Sequence, residues 1–217
     1  MANVKQQLEV PSTPSLGFAP EAYERRHFSE NYGALNIYFR KLVSALGALF
    51  GPMGCKFLNN AHGSFFDTTD QTAANTTTAY ATKFNTTDLS NGVTIVSDSQ
   101  ITVNVDGIWN IQFSLQFKNS TNDGQDIDVW FRKNGTNLVN SNTRFHVPAR
   151  KSTGDPSYVV AAINYFVQMV DDDYIQIMWR VSDIGVTMEH VAATTTPDRP
   201  AVPSAIVTVT FVSNLST

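Results

Sequence analysis

The sequence predicts a mainly β protein, an N-terminal α-helix followed by an antiparallel β-sandwich of jelly-roll type. Three observations point there. Apolar residues near the N-terminus recur with a heptad step. From about residue 79 the apolar period falls to two. The short alternating segments that follow are separated by turn residues and never by a helix.

The helix is read first. Phe28, Tyr32, Leu35, Phe39, Leu42, Leu46 and Leu49 are spaced 4, 3, 4, 3, 4 and 3 residues apart, a 3.5-residue repeat that winds helices of separate chains together. Pro20 suits a first helical position, with Glu21 and Glu24 complementing the positive end of the dipole, and Gly51-Pro52 ends the segment. A helix over 20–51 is expected, roughly 46 Å long. Tyr32, Phe39 and Leu46 take the a positions, and Phe28, Leu35, Leu42 and Leu49 the d positions. Tyr38, Val43, Ala45 and Phe50 at e and g are apolar where a two-stranded coil carries charges. The wide stripe suits three or more helices, or one helix pressed into a partner. The competing reading is a helix folded back on its own domain, and Gly33 and Gly47 each weaken a coil by about 1 kcal/mol.

Around the helix lie an extended arm, 1–19, carrying Pro11, Pro14 and Gly17, and a connector, 52–78, anchored by Phe57-Leu58 and Phe65-Phe66. The head is expected over 79–217. Ile101, Val103 and Val105 alternate into a turn at Asp106-Gly107. Trp109, Ile111, Phe113, Leu115 and Phe117 then alternate with polar residues, a strand with one buried face. Ile127, Val129 and Phe131 lead into Asn134-Gly135, a hairpin signal. Residues Tyr158 to Val170 are apolar on both faces, which predicts a strand buried on both sides. Ile175 to Val181 follows an acidic turn at Asp171-Asp172-Asp173, and Ala205 to Phe211 closes the domain after a stiff loop from Pro197 to Pro203. Eight to ten strands fit a jelly roll. A doubly buried strand in a two-layer sandwich needs a neighbour, most simply another copy of the chain. Val159, Ile163 and Tyr165 join the helix residues as the expected oligomerisation positions.

Composition limits the chemistry. Of 217 residues 16% are charged, against about 25% in ordinary soluble domains. The net charge of −4 disfavours phosphate backbones, and the nearest basic cluster is Arg144, His146, Arg150 and Lys151. One cysteine, Cys55, permits no intrachain disulfide and has no local base to activate it. The first residues lack the apolar core of a signal peptide, so the sequons at Asn75, Asn85, Asn119 and Asn134 read as ordinary composition, and no apolar run is long enough to span a bilayer. His27, His62, His146 and His190 show no metal-ligand spacing, and no nucleophile elbow, dinucleotide or phosphate loop occurs. Asp123, Asp126 and Asp128, like Asp171 to Asp173, lack the spacing and closing glutamate of an EF-hand and read as solvated turns. No enzyme, cofactor or metal is expected, although a carboxylate pair set by spatial distance alone is invisible in a sequence.

The runs TVNVDGIWNIQFSLQF, DVWFRKNGTNLVNSNTRF and YVVAAINYFVQMVDDDYIQIMWRV resemble the jelly roll of complement globular heads and tumour-necrosis-factor-like domains. The shared features are the strand entry at Gly107 and Trp109, the hairpin at Asn134 and Gly135, and the acidic entry running from Asp171 to Trp179. Such heads form compact homotrimers. A closer resemblance, over residues 20–217, is to virion proteins of marine tailed phages, cyanophages in particular. It rests on the DVWFRKNGT and NSNT segments, on Pro197 to Val209, and on Leu35-Asn36-Ile37-Tyr38-Phe39 in the helix. That resemblance implies a homotrimeric short fibre or appendage on the virion, held to tail, portal-proximal or capsid proteins by the helix, with the head toward host glycan or protein. A capsid cement or decoration protein is the alternative; a host-glycan hydrolase or lectin-like module is a remoter one. Nucleic-acid binding and membrane insertion are not expected.

Overall fold

The computed structural model describes residues 11–18, 21–50 and 60–215, with the side chains of 48–50 outside that description. Pro20, Gly51-Pro52, Cys55, Phe57-Leu58 and the side chain of Leu49 therefore lie outside the described residues. The chain divides into two compact units, Met1–Asn59 and Asn60–Thr217.

In the first unit, helix α1 runs Arg25–Phe50. It begins later than Pro20 because the carbonyl of Glu24 accepts the opening backbone bond, from Phe28 N at 3.2 Å. Glu21 and Glu24 thus precede the first turn, which carries no acidic residue. The arm turns back on the helix: Gly17 N donates to Asn31 Oδ1 at 3.3 Å, and the Asn31 amide meets His27 Nε2 at 2.9 Å. Among the described residues no helix is long and apolar enough to cross a membrane.

The second unit is an antiparallel β-sandwich. Ten strands of four residues or more carry it: β1 His62–Asp67, β2 Thr86–Asn91, β3 Val93–Val96, β4 Gln100–Val103, β5 Gly107–Asn119, β6 Gln125–Lys133, β7 Thr143–Val147, β8 Ser157–Met169, β9 Tyr174–Val181 and β10 Ala205–Ser213. The first sheet is ordered β8-β5-β10-β1-β2 and the second β7-β6-β9-β4-β3. Successive strands cross repeatedly between the layers, which is the jelly-roll pattern. Strand β1 lies inside the segment expected as a connector. Its alternation was masked by the adjacent Phe65 and Phe66, of which Phe65 is buried and Phe66 faces outward. Strand β7 takes in Arg144 and His146 of the basic cluster.

The core sits between the layers. Trp109, Ile111, Phe113, Leu115 and Phe117 from β5 meet Ile127, Val129 and Phe131 from β6 and Ile175, Ile177 and Trp179 from β9, all buried. Phe131 stacks on Tyr165 with ring centroids 4.8 Å apart and meets Phe113 edge-on at 5.6 Å. The period-2 alternation of β5 and β9 is thus explained: every second side chain enters this layer.

The Asn134-Gly135 hairpin forms as expected, with φ of 46° and 79°, the left-handed pair that a tight two-residue turn requires. It is locked to the acidic turn before β9. Asp173 accepts from Lys133 Nζ at 2.7 Å, Asn134 Nδ2 at 2.5 Å and Val170 N at 2.8 Å, and Tyr174 N donates to Asn134 Oδ1 at 2.9 Å. Burial pushes the Asp173 carboxyl upward, but the bonds from Lys133, Val170 and Asn134 outweigh it and hold the group below its ordinary range. A lowered folded-state pKa contributes stability that is present above the unfolded value and is lost as pH falls through the folded one. Asp173→Ala should therefore destabilise the domain by about 2 kcal/mol at neutral pH. It should also flatten the fall in stability measured by denaturant titration from about pH 5 to pH 2. A wild-type slope unchanged in the variant would show that this clamp contributes nothing.

The strand expected to be buried on both sides has one face covered within the chain. Strand β8 is an edge strand, paired along its whole length with β5 only. Tyr158, Val160 and Phe166 on its outward face are 58, 50 and 56% exposed. Val159, Ile163 and Tyr165 point the other way and pack against the core of their own chain. The two faces look alike in the sequence because both are apolar; within one chain only the inner one is covered.

Candidate functional site

Three surfaces merit attention: the helix stripe, the outer face of the first sheet, and a cleft on the outer face of the second.

On α1 the predicted positions Phe28, Tyr32, Phe39 and Leu46 are exposed, and Leu35 and Leu42 are half-buried. The stripe stands largely open to solvent.

On the first sheet, registry lines up β8, β5, β10 and β1. Tyr158 lies opposite Lys118, Val160 opposite Gln116, Ala162 opposite Ser114, Asn164 opposite Gln112 and Phe166 opposite Asn110. Ile206, Thr208 and Thr210 extend these rows on β10, and Phe66, Ser64 and His62 on β1. Lys118 is the lone ammonium or carboxylate in these rows, and its Nζ is bonded to Glu189 Oε1 at 2.5 Å. The Glu189 carboxylate holds the Lys118 ammonium above its usual range, against the opposing effect of burial.

The outer face of the second sheet is the reverse. Asp126, Asp128, Trp130 and Arg132 project from β6, Arg144 and His146 from β7, and Gln176, Met178 and Arg180 from β9. Cross-strand pairing sets Asp128 between Arg144 and Arg180. Arg144 grips Asp128 through two bonds, Nε to Oδ1 at 2.9 Å and Nη2 to Oδ2 at 3.2 Å, and Arg180 Nη2 stands 3.5 Å from Oδ2. These bonds, Arg144 first, hold the Asp128 carboxyl below its ordinary range although burial opposes them. Beside it His146 Nδ1 meets Asp126 at 2.9 Å, while Arg150 donates to Asn122 and Lys151 pairs with Asp155. Every member of the basic cluster seen in the sequence is thus engaged by a side-chain oxygen.

One residue along the sheet, Trp130 lies half-exposed in a cleft of about 330 Å³ lined by Asp128, Asn137, Leu138, Asn140, Asn142 and Arg180. The loop after the hairpin forms its wall. Ser141 is buried and pins that loop to β6: its hydroxyl accepts from Phe131 N at 3.1 Å and donates to Leu138 O at 2.9 Å. Asn137 Oδ1 accepts from both Trp130 Nε1 at 2.9 Å and Arg132 Nε at 3.0 Å, which fixes the indole. Asn140 sits at φ 62°, a conformation asparagine tolerates better than most residues and one that clusters at binding sites. Nothing in the sequence marked this cleft as a site, although Trp130 and Asn137 to Asn142 fall in the DVWFRKNGTNLVNSNTRF run that carries the resemblance.

The acidic clusters are committed to structure. Asp173 clamps a hairpin and Asp128 an ion-pair row, and among the described residues no group of three or more His, Cys, Asp or Glu is placed to hold a metal ion. The histidines are scattered: His27 bonds Asn31, His62 Nδ1 meets Asn60 O, His146 pairs Asp126, and His190 N donates to Asp70. A glycosidase centre needs two carboxyls flanking a bond, one of them able to give up a proton near neutral pH. The Trp130 cleft holds a single carboxylate, already neutralised by guanidinium groups. Its arrangement suits binding.

Neither a protein-family model nor a curated protein matches this chain.

Proposed function

We propose that the chain is a structural virion protein of a tailed phage: a homotrimeric appendage held to the particle by its N-terminal helix, with the β-sandwich head toward the host surface. The observation that carries this reading is the contrast between the two outer faces. The second sheet shows water a lattice of paired charges. The first shows an almost uncharged surface edged by Tyr158, Val160 and Phe166. A contiguous apolar edge of that kind marks an association surface, and a second copy of the same face is the simplest complement for it. The corrected oligomerisation positions on β8 are therefore Tyr158, Val160, Ala162 and Phe166, in place of Val159, Ile163 and Tyr165. The open heptad stripe of α1 supplies a second surface of the same kind. Three heads on one foot bind a repetitive host surface multivalently, so weak single contacts add through effective concentration.

Electron microscopy of intact particles with a gold-labelled antibody against residues 60–217 tests the placement. Label at the tail or neck is expected. Label spread over the capsid lattice would favour the cement reading instead, and particles without label would remove the virion assignment.

Leu42→Asp probes the foot. Leu42 is half-buried in the single chain and lies at the centre of the stripe, so an aspartate there buries an uncompensated charge in each associated helix, costing several kcal/mol. The expected result is loss of particle attachment with the head still folded by circular dichroism. Attachment at the wild-type level would show that the helix is not the foot.

A further inference from the structure

We propose that the Trp130 cleft is a saccharide-binding subsite that takes a pyranose unit of a surface polysaccharide; this rests on the reading of the head as the host-facing part.

The argument starts from what a pyranose ring presents: a patch of C–H groups on one face and a rim of hydroxyls that both donate and accept. Its complement is an aromatic plate beside amides and charged groups with spare capacity. Trp130 is such a plate, half-exposed and held in orientation by Asn137. It differs from the other two tryptophans, Trp109 and Trp179, which are 0 and 1% exposed and belong to the core.

Around the plate stand three asparagines. Asn137 spends its carbonyl oxygen on Trp130 and Arg132, and its two amide N–H donors remain for a ligand. Asn140 carries both functions of its amide on an exposed side chain held in the left-handed region. Asn142 reaches Asp128 from the same wall. Arg180, at 44% side-chain exposure, leaves guanidinium N–H groups over the cleft while one nitrogen faces Asp128. Donors and acceptors are thus interleaved at hydroxyl scale.

The site is also held in shape before any ligand arrives. Ser141 ties the loop to β6, and the row Arg144–Asp128–Arg180 braces the floor across three strands. Little side-chain freedom remains to be lost on binding. A volume of about 330 Å³ lies at the small end of ligand pockets and suits one or two sugar residues. Its polar wall and single exposed ring do not suit an apolar ligand. Arg180 is the one cation lining the cleft and Asp128 offsets its charge, which disfavours a phosphate-bearing one.

The three tryptophans make the test direct, because only Trp130 is accessible to a ligand. The full chain is titrated with glucose, galactose, mannose, N-acetylglucosamine and glucuronate, and with the β1–4 disaccharides of glucose and N-acetylglucosamine, each to about 10 mM, tenfold above a Kd of 1 mM. Binding is followed by saturation-transfer NMR of the ligand, a readout that survives loss of the indole, with tryptophan emission beside it and adenosine monophosphate as the competing ligand class. The expected result is a saturable change with at least one sugar. That response should be abolished in Trp130→Ala and its Kd raised at least tenfold in Asn140→Gly, which removes the amide while relieving the backbone. Lys151→Ala, outside the cleft and 85% exposed at its side chain, should bind as wild type. No saturable response to any sugar, a response that survives Trp130→Ala, or a response to adenosine monophosphate alone would each overturn the assignment. Sedimentation of the same samples keeps the two readings apart. A trimer without sugar binding removes the subsite and leaves the appendage standing, whereas a monomer removes the appendage reading itself.

Discussion

Replacing Val160 and Phe166 together by glutamate is expected to turn the proposed trimer into a folded monomer. Both side chains lie on the outward face of β8, 50 and 56% exposed, and neither enters the core. A single chain should tolerate the change with little loss of stability, since exposed positions away from caps and cores rarely matter by more than about 0.5 kcal/mol. In the proposed trimer the effect is large. Each side chain is already half-covered by its own chain, so cover from a neighbour contributes about half of the ~1.5–3 kcal/mol of full burial. Each glutamate must instead be stripped of water near other glutamates on a face whose one cation, Lys118, is already bound to Glu189. Sedimentation should show the mass falling to that of one chain, with the far-UV circular dichroism of the wild type retained. A variant that remains associated would place the subunit contact elsewhere. Ile163→Asp, which the sequence alone recommends for this purpose, does not separate the two effects: Ile163 packs on the core of its own chain.

The second large effect is on stability. Phe131→Ala removes a fully buried ring that stacks on Tyr165 and meets Phe113, at the centre of the layer between the sheets. The loss combines transfer of the side chain with the cavity left behind, about 3–5 kcal/mol. Against the 5–15 kcal/mol typical of a domain, that is a third or more of the total. Guanidinium denaturation at one protein concentration should show the midpoint falling with little change in slope. A shift below about 1 kcal/mol would mean that neighbouring side chains collapse into the space. Because β6 also carries Trp130 on its other face, partial loosening of this strand should weaken the cleft as well.

The core was legible wherever one face of a strand meets the interior, because a period of two then appears in the residues themselves. Strands β5, β6, β9 and β10 were found for that reason, and the Asn134-Gly135 turn because its left-handed backbone restricts the residues that fit. Strand β1 was hidden: its outward Phe66 breaks the alternation that buried Phe65 would have shown. Strand β8 was found from its two apolar faces, which signal two coverings, and the chain itself supplies one of them. The helix start was set too early because proline and glutamate fit an N-terminus that the backbone enters five residues later, at Arg25. The Trp130 cleft was illegible for a different reason. Its members come from two strands and the loop after the hairpin, and only the pairing of β6 with β7 and β9 brings Asp128, Asn142 and Arg180 to one side of the indole.

The central claim is that the open face of the first sheet and the helix stripe are both covered by two further copies of the chain. Sedimentation equilibrium of the full-length protein at micromolar concentration tests it most directly. The expected mass is three times the 23.9 kDa of one chain, constant across the concentration range. A single species of 23.9 kDa that stays soluble and folded throughout would contradict it.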